Sequence, residues 1–192
     1  MFKKTAILLL LSVMAAFAIS SCTPSDDAEN TQRGASHLAE VNRLLQQELE
    51  NRLESLQFLS VDLQSLGTGP ADEKQIRFLQ GRLSTSRQQL NTLIDNSFFS
   101  FVSADGNSHR SVSLQPYLSE LSSALEVIAS HEEPITSRHI QKIKQVSDQV
   151  KVIQNELRTI AQDPDFSIDN HYDISAMIQS INRIKETVKD FR

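Results

Sequence analysis

The sequence predicts an all-α protein in which four to five amphipathic helices form an antiparallel bundle. Apolar residues recur every three or four positions in five segments, which is the spacing of one face of an α-helix. Glycine and proline are scarce, with five of each among 192 residues, whereas leucine, glutamine, glutamate and arginine, which favour helices, are abundant. The linkers between the segments are mostly short, which favours antiparallel packing of successive helices.

The first predicted helix extends from Ala35 to Leu66. Its apolar stripe consists of Leu38, Val41, Leu45, Leu49, Leu53, Leu56, Leu59, Leu63 and Leu66. Leu44, Phe58 and Val61 widen this stripe, which predicts contacts with more than one neighbouring helix. The helix should end at "GTGP", where Gly67 is placed for a C-terminal cap and Pro70 can open the next helix.

The second predicted helix runs from about Ala71 to Asp95. Its apolar residues are Ile76, Leu79, Leu83, Leu90, Leu93 and Ile94. Gly81 weakens this helix by up to ~1 kcal/mol relative to alanine. The helical period then disappears, and Asp105-Gly106 suits a hairpin turn, so we expect a short β-hairpin or an ordered loop around residues 97–113. An extension of the second helix through Phe101 is the alternative.

Three more helices are predicted in the C-terminal half. One runs from about Leu114 to Glu132, with Pro116 tolerated in its first turn. Another follows the break at Pro134 and ends near Gln162, and the last begins after a linker over 163–173. Their stripes are Leu114, Tyr117, Leu121, Leu125 and Ile128; Ile143, Val146, Val150, Ile153, Leu157 and Ile160; and Ile174, Met177, Ile181, Ile184, Val188 and Phe191. The second of these stripes is a heptad seam.

The N-terminus has the layout of a secretory signal peptide. Lys3 and Lys4 precede an apolar segment, and small residues lead to Cys22, the single cysteine of the chain. The apolar segment of about 14 residues would span roughly 21 Å, short of the ~30 Å hydrocarbon layer, which disfavours a permanent membrane-spanning helix. "AISSC" resembles the lipobox of bacterial lipoproteins. This resemblance implies that residues 1–21 are removed and that acylated Cys22 anchors the protein in the outer membrane, on its periplasmic face or at the cell surface.

Residues 22–34 are predicted to form a flexible acidic tether between the lipid and a helical domain over 35–192. Ser25, Asp26, Asp27 and Glu29 resemble the short acidic export signal of surface-exposed Bacteroidetes lipoproteins. The resemblance implies export to the cell surface, and a merely solvating linker is the alternative.

The charge of the chain argues against a nucleic-acid partner. The formal net charge is −5 and becomes more negative when the lysines of the signal segment are removed. There is no run of lysine and arginine for a phosphate backbone. With Cys22 acylated, the mature chain has no cysteine left for a disulfide.

The motifs of catalysis and metal binding are missing from the sequence. It has no glycine-rich phosphate loop and no nucleophile elbow. The histidines, which are His37, His109, His131, His139 and His171, lack the spacing of bundle metal sites. Asp163, Asp165, Ser167 and Asp169 imitate the start of a calcium loop, but Ile168 and Ile174 occupy its required glycine and glutamate positions. A helix cap at Asn170 or Asp173 fits better, and we predict no enzyme, metal or cofactor.

Two groups of residues are candidate contacts. Phe98, Phe99 and Phe101 could contact a partner or a lipid surface, or could cap the bundle core. Basic residues of the fourth helix could form a docking strip or a solvated face, namely Arg138, Lys142, Lys144, Lys151 and Arg158.

The resulting hypothesis is a non-catalytic, lipid-anchored envelope protein that presents a helical surface to another protein. The alternatives are a bundle that binds a small molecule or glycan, and a rod-forming coiled-coil oligomer.

Overall fold

The structure, a computed structural model, describes residues 27–69, 72–92, 101–105, 108–112, 114–167 and 170–191. The chain divides into two compact units, Met1–Glu40 and Val41–Arg192. The described part of the first unit, from Asp27, is helical. The packing described below concerns the second unit.

Five α-helices are present in the described residues, as predicted. They are α1 (Asp27–Gly67), α2 (Glu73–Thr92), α3 (Gln115–Ala129), α4 (Ser137–Ala161) and α5 (Ser175–Thr187), and a short 3-10 turn follows over Val188–Phe191. Helix α2 packs on α3, α4 packs on α5, and α5 also contacts α3. The prediction of an all-α helical bundle is confirmed.

The predicted apolar stripes form the core of the bundle. All the stripe residues of α4 and α5 are buried, as are those of α3 except Tyr117, which is partly buried. On α1, the leucines from Leu45 to Leu66 in the predicted stripe are buried, apart from the partly buried Leu53. Leu38, Leu44, Phe58 and Val61 are instead exposed. The prediction that the wide face of α1 contacts a further neighbour in this fold is therefore wrong for Leu44, Phe58 and Val61.

A β-hairpin follows α2, which confirms one of the two predictions for this segment. Strand β1 (Phe101–Asp105) pairs antiparallel with β2 (Ser108–Val112). The alternative of a second helix continuing through Phe101 is wrong, because Phe101 begins β1. The predicted linker over 163–173 also contributes a short strand, β3 (Tyr172–Asp173), which pairs parallel to β1 and completes a three-stranded sheet in the order β2-β1-β3.

The helix boundaries differ from prediction mainly at the start of α1. This helix begins at Asp27, eight residues before Ala35, and thus includes residues 27–34 of the predicted tether. It ends at Gly67 as expected, but the left-handed backbone conformation lies at Gly69, with φ of 79°. At Gly67 packing is tight, since an added Cβ would lie 3.0 Å from Cγ of Lys144 and the lysine side chain would have to shift.

Candidate protein-binding groove

The outer edges of α1 and α2 carry apolar side chains that the core does not use. Phe78 on α2 is 63% exposed, and Phe58 and Val61 on α1 are 45% and 47% exposed. Their neighbours Leu59, Leu79 and Leu83 point inward and are buried. Exposed single apolar residues are common, but a cluster of large ones marks an interaction surface.

Phe58 and Phe78 line a surface groove between α1 and α2, with a volume of about 540 Å³. Its remaining lining is mostly from α2 and includes Arg77, Gly81, Arg82 and Thr85. The described side chains that line it include no carboxylate. The groove therefore combines two aromatic walls with two guanidinium groups.

A buried carboxylate beneath the groove holds one of these guanidinium groups in place. Asp62 of α1 is 1% exposed, and its Oδ1 lies 2.8 Å from Nη2 of Arg82. Ser86 donates its hydroxyl to the other carboxylate oxygen over 3.3 Å. Burial raises the pKa of Asp62, while the charge of Arg82 and the Ser86 hydrogen bond act in the opposite direction.

Arg82 is half-exposed and lies against an aromatic ring. Its Cζ is 5.9 Å from the centre of the Phe78 ring, which is within the range of a cation-π contact. The ion pair with Asp62 and the contact with Phe78 together restrict the side chain before anything binds. A restricted side chain loses less entropy on binding.

Gly81 leaves a notch in the middle of the α2 face. A Cβ atom at this position would meet nothing within 4 Å, so packing within the described chain does not require glycine here. Glycine in a helix interior costs about 1 kcal/mol relative to alanine. The bare backbone at Gly81 thus has no explanation in the bundle itself.

Arg77 joins the groove to the C-terminal end of α3. Its Nη1 donates to the carbonyl of His131 over 2.8 Å, and its Nη2 donates to the carbonyl of Glu132. Gln80 donates to the carbonyls of Ile128 and His131 over 3.0 and 2.9 Å. These side chains satisfy carbonyls that a helix terminus leaves without intrahelical partners.

A second groove, between α3 and α5, differs in character. It has a volume of about 470 Å³, and half of its lining residues are charged. Lys185 pairs with Glu120 at 3.0 Å, and Lys189 pairs with Glu186. Because these charges neutralise one another and no large exposed apolar residue lines this groove, it resembles ordinary solvated surface.

Two histidines meet on either side of the break at Pro134. The ring centres of His131 and His139 are 4.8 Å apart, and both rings contact Phe191. Nδ1 of His131 lies 3.1 Å from the Phe191 carbonyl and must be the donor, whereas Nδ1 of His139 accepts from the Thr136 backbone N–H. Burial and the neighbouring His131 lower the pKa of His139. This cluster fastens the C-terminal turn to the start of α4.

Several predicted site residues lie outside the described residues, namely Cys22, Ser25, Asp26, Phe98 and Phe99. Asp27 and Glu29 belong to the first turns of α1, and Phe101 begins β1. The predictions of lipidation, export and aromatic contact at these positions stay predictions.

Four of the five basic residues of α4 pair with nearby side chains. Arg138 and Lys142 both contact Asp190, at 3.1 and 3.4 Å. Lys151 pairs with Asp148 on the same helix, and Arg158 donates to the side chain of Asn155. This arrangement favours a solvated helix face over a docking strip.

The segment that imitates a calcium loop is used for local hydrogen bonds. Asp163 accepts from the backbone N–H of Asp165, and Asp173 accepts from that of Ser175 in the first turn of α5, both over 2.9 Å. The predicted cap at Asn170 or Asp173 is wrong, because the N-cap position of α5 is Ile174, which makes no side-chain cap hydrogen bond, and Asp173 precedes it. The described part of the chain brings together no group of three or more histidine, cysteine, aspartate or glutamate side chains suited to a metal ion.

Sequence reasoning missed the groove. Phe58 belongs to the widened stripe predicted for the first helix, and Phe78 lies off the apolar side predicted for the second. The available signal was a phenylalanine off the stripe, flanked by Arg77 and Arg82 and close to a mid-helix glycine.

Of the described helices, none has both the length and the apolar character needed to cross a membrane. Comparison of the chain with known protein families, with curated proteins and with solved structures finds no match.

Proposed function

We propose that this protein is a non-catalytic, lipid-anchored protein of the outer membrane whose helical bundle binds another protein through the groove between α1 and α2. The observation that carries this proposal is the exposure of Phe58 and Phe78, which line one groove beside a positioned arginine. Aromatic and arginine side chains are enriched at protein interfaces, and a few of them contribute most of the binding energy.

The anchor part of the proposal is supported by the lipobox-like sequence that ends at Cys22. One acyl chain binds a membrane only marginally, and two or more give a stable anchor. Cys22→Ser should abolish fatty-acid labelling and release or mislocalise the protein. Labelling that persists in this variant would contradict acylation at Cys22.

The binding part is tested by site-specific crosslinking in intact cells. A photoreactive amino acid at Thr85, which is exposed and lines the groove, should give a reproducible adduct with one envelope protein. The matched control is the same amino acid at Thr159, an exposed threonine on α4. Equal adducts at both positions, or none at Thr85, would contradict binding at the groove.

A ligand-binding bundle is the second candidate function. The groove volume of about 540 Å³ lies within the range of roughly 300–1,000 Å³ for small-molecule sites. A glycan or small molecule would protect the Thr85 position without forming a protein adduct. The stripes of α4 and α5, the two helices that suggested a rod-forming oligomer, are buried inside this chain.

A further inference from the structure

We infer that the last described turn of the chain, Val188–Phe191, is a pH-sensitive latch that is closed while His131 and His139 are neutral and is released when they take up protons. The latch goes beyond the proposed function, because neither these histidines nor the turn lines the groove between α1 and α2.

The closed latch depends on both histidines. Val188 and Phe191 are buried. The His139 ring stacks on the Phe191 ring with 4.8 Å between their centres, and the His131 ring meets Phe191 edge-on at 5.4 Å. Nδ1 of His131 also donates to the Phe191 carbonyl over 3.1 Å. The two imidazoles therefore hold the side chain and the backbone at the end of the turn.

His131 is built into the latch as a neutral ring. Because its Nδ1 is the donor to the Phe191 carbonyl, neutral His131 has no proton on Nε2. This Nε2 is buried and has no hydrogen-bond partner in the part of the chain that the structure describes. A second proton would go to Nε2, where it would create a buried donor without an acceptor, which is costly.

Protonation of His139 opposes the closed latch in a different way. Its Nδ1 accepts from the Thr136 N–H over 3.4 Å in the capping box of α4, so the neutral ring carries its proton on Nε2. A proton on Nδ1 would remove this acceptor. The proton on Nε2 of His139 makes no hydrogen bond to Nε2 of His131, which stays without a partner. Charged rings with centres 4.8 Å apart would instead repel each other.

The surrounding charges do not reverse this preference. Burial and the nearby His131 lower the pKa of His139, while Glu133 and the Pro134 backbone act more weakly in the opposite direction. Elements packed around the two histidines bring these charged groups close to them: Arg77 from α2, Glu132 and Glu133 from the turn before α4, Arg138 and Lys142 from α4, and Asp190 from the last turn.

The ion pairs of the last turn do not keep the latch closed on their own. Asp190 pairs with Arg138 and Lys142, which hold the pKa of its carboxyl below the usual range, so these pairs persist in mild acid. They lie at the surface, where ion pairs contribute little. Release of the turn would uncover Val188 and Phe191, and the apolar surface of the protein would thus change with pH.

Hydrogen exchange of the full lipidated chain in nanodiscs, measured by mass spectrometry, tests the latch. Labelling is done at about pH 7.5 and about pH 5.5, on either side of the ordinary histidine pKa of ~6.5, with labelling times scaled to the intrinsic exchange rate at each pH. Exchange over residues 186–191 should become about fivefold faster or more at the lower pH, since two unit charges about 4 Å apart repel by that factor even in water. Residues 146–157 in the middle of α4 should keep their protection.

His139→Gln should remove most of this acceleration, and it should fold because glutamine is a usual residue at this position of a capping box. His131→Asn, whose amide keeps a donor for the Phe191 carbonyl, should have the same effect. His37→Gln, at an exposed histidine of α1, is the matched control and should keep the full acceleration.

Three outcomes would overturn the inference. The first is unchanged exchange over residues 186–191, or slower exchange in acid, as attraction between charged His139 and the Phe191 ring would give. The second is an equal acceleration in His139→Gln and in the unmodified chain. The third is an equal acceleration over residues 146–157, which would indicate general loosening of the bundle in place of a local latch.

Discussion

Phe78 and Leu83 lie five residues apart on α2, yet their replacement should have very different effects on folding. Phe78 is 63% exposed, whereas Leu83 is fully buried. Full burial of a phenylalanine stabilises a fold by about 1.5–3 kcal/mol, so the buried third of Phe78 contributes about 0.5–1 kcal/mol. The cation-π contact with Arg82 adds about 0.5–1 kcal/mol at an exposed site. The higher helix propensity of alanine offsets about half of this cation-π contribution in the Phe78→Ala variant.

Phe78→Ala should thus lower the free energy of unfolding by about 0.8–1.5 kcal/mol, while Leu83→Ala should lower it by about 2–5 kcal/mol. For a domain of this size, each kcal/mol corresponds to roughly 2–4 °C in Tm. Urea and thermal unfolding of the two variants, measured side by side, give the comparison. A loss in Phe78→Ala as large as that in Leu83→Ala would refute the conclusion that Phe78 is available to a partner.

Three further predictions concern titration and glycine. Because burial raises the pKa of Asp62 in the folded state, wild type should lose stability as pH rises from 3.8 through this raised pKa, and Asp62→Asn, which cannot titrate, should not. The stability of Asp62→Asn relative to wild type should therefore increase over this pH range, and a pH-independent difference in urea unfolding would contradict the prediction. The lowered pKa of His139 means that its protonation opposes folding, and protonation of Nδ1 also removes the acceptor of the Thr136 N–H. His139→Gln should therefore lose less stability than wild type as pH falls below 6.5, and parallel curves of stability against pH for the two proteins would contradict this. Gly81→Ala should raise the free energy of unfolding by up to about 1 kcal/mol, because the added Cβ meets open space. Gly67→Ala should lower it by about 1–3 kcal/mol, because the added Cβ meets Lys144. Calorimetry that ranks the two variants in the reverse order would refute this.

The helices were predictable because most core residues recur at helical spacing along each of them. The stripe from Ile143 to Ile160 reports local periodicity, and every residue in it is buried. A hairpin was predictable from the loss of this helical period, which stops before the turn residues Asp105-Gly106. The pairing of Tyr172 with Phe101 was not predictable, because parallel pairing of segments so distant in sequence leaves no local sequence pattern.

The groove could not be predicted because exposure depends on how many helices surround α1. Phe58 follows the apolar period of its helix, and only the packed bundle shows that no described neighbour covers it. The ion pair of Asp62 with Arg82 likewise joins residues from two helices. The contact between His131 and His139 depends on the turn at Pro134, whose direction the sequence pattern does not encode.

The most direct test of the central claim is crosslinking at Thr85 in intact cells with and without Phe78→Ser in the same lipidated chain. The account predicts one reproducible envelope-protein adduct in the parent chain and its loss in the Phe78→Ser chain, at equal protein level and with a Tm lowered by only a few °C. An adduct of the same identity and yield in both chains would contradict the claim that the aromatic groove binds the partner.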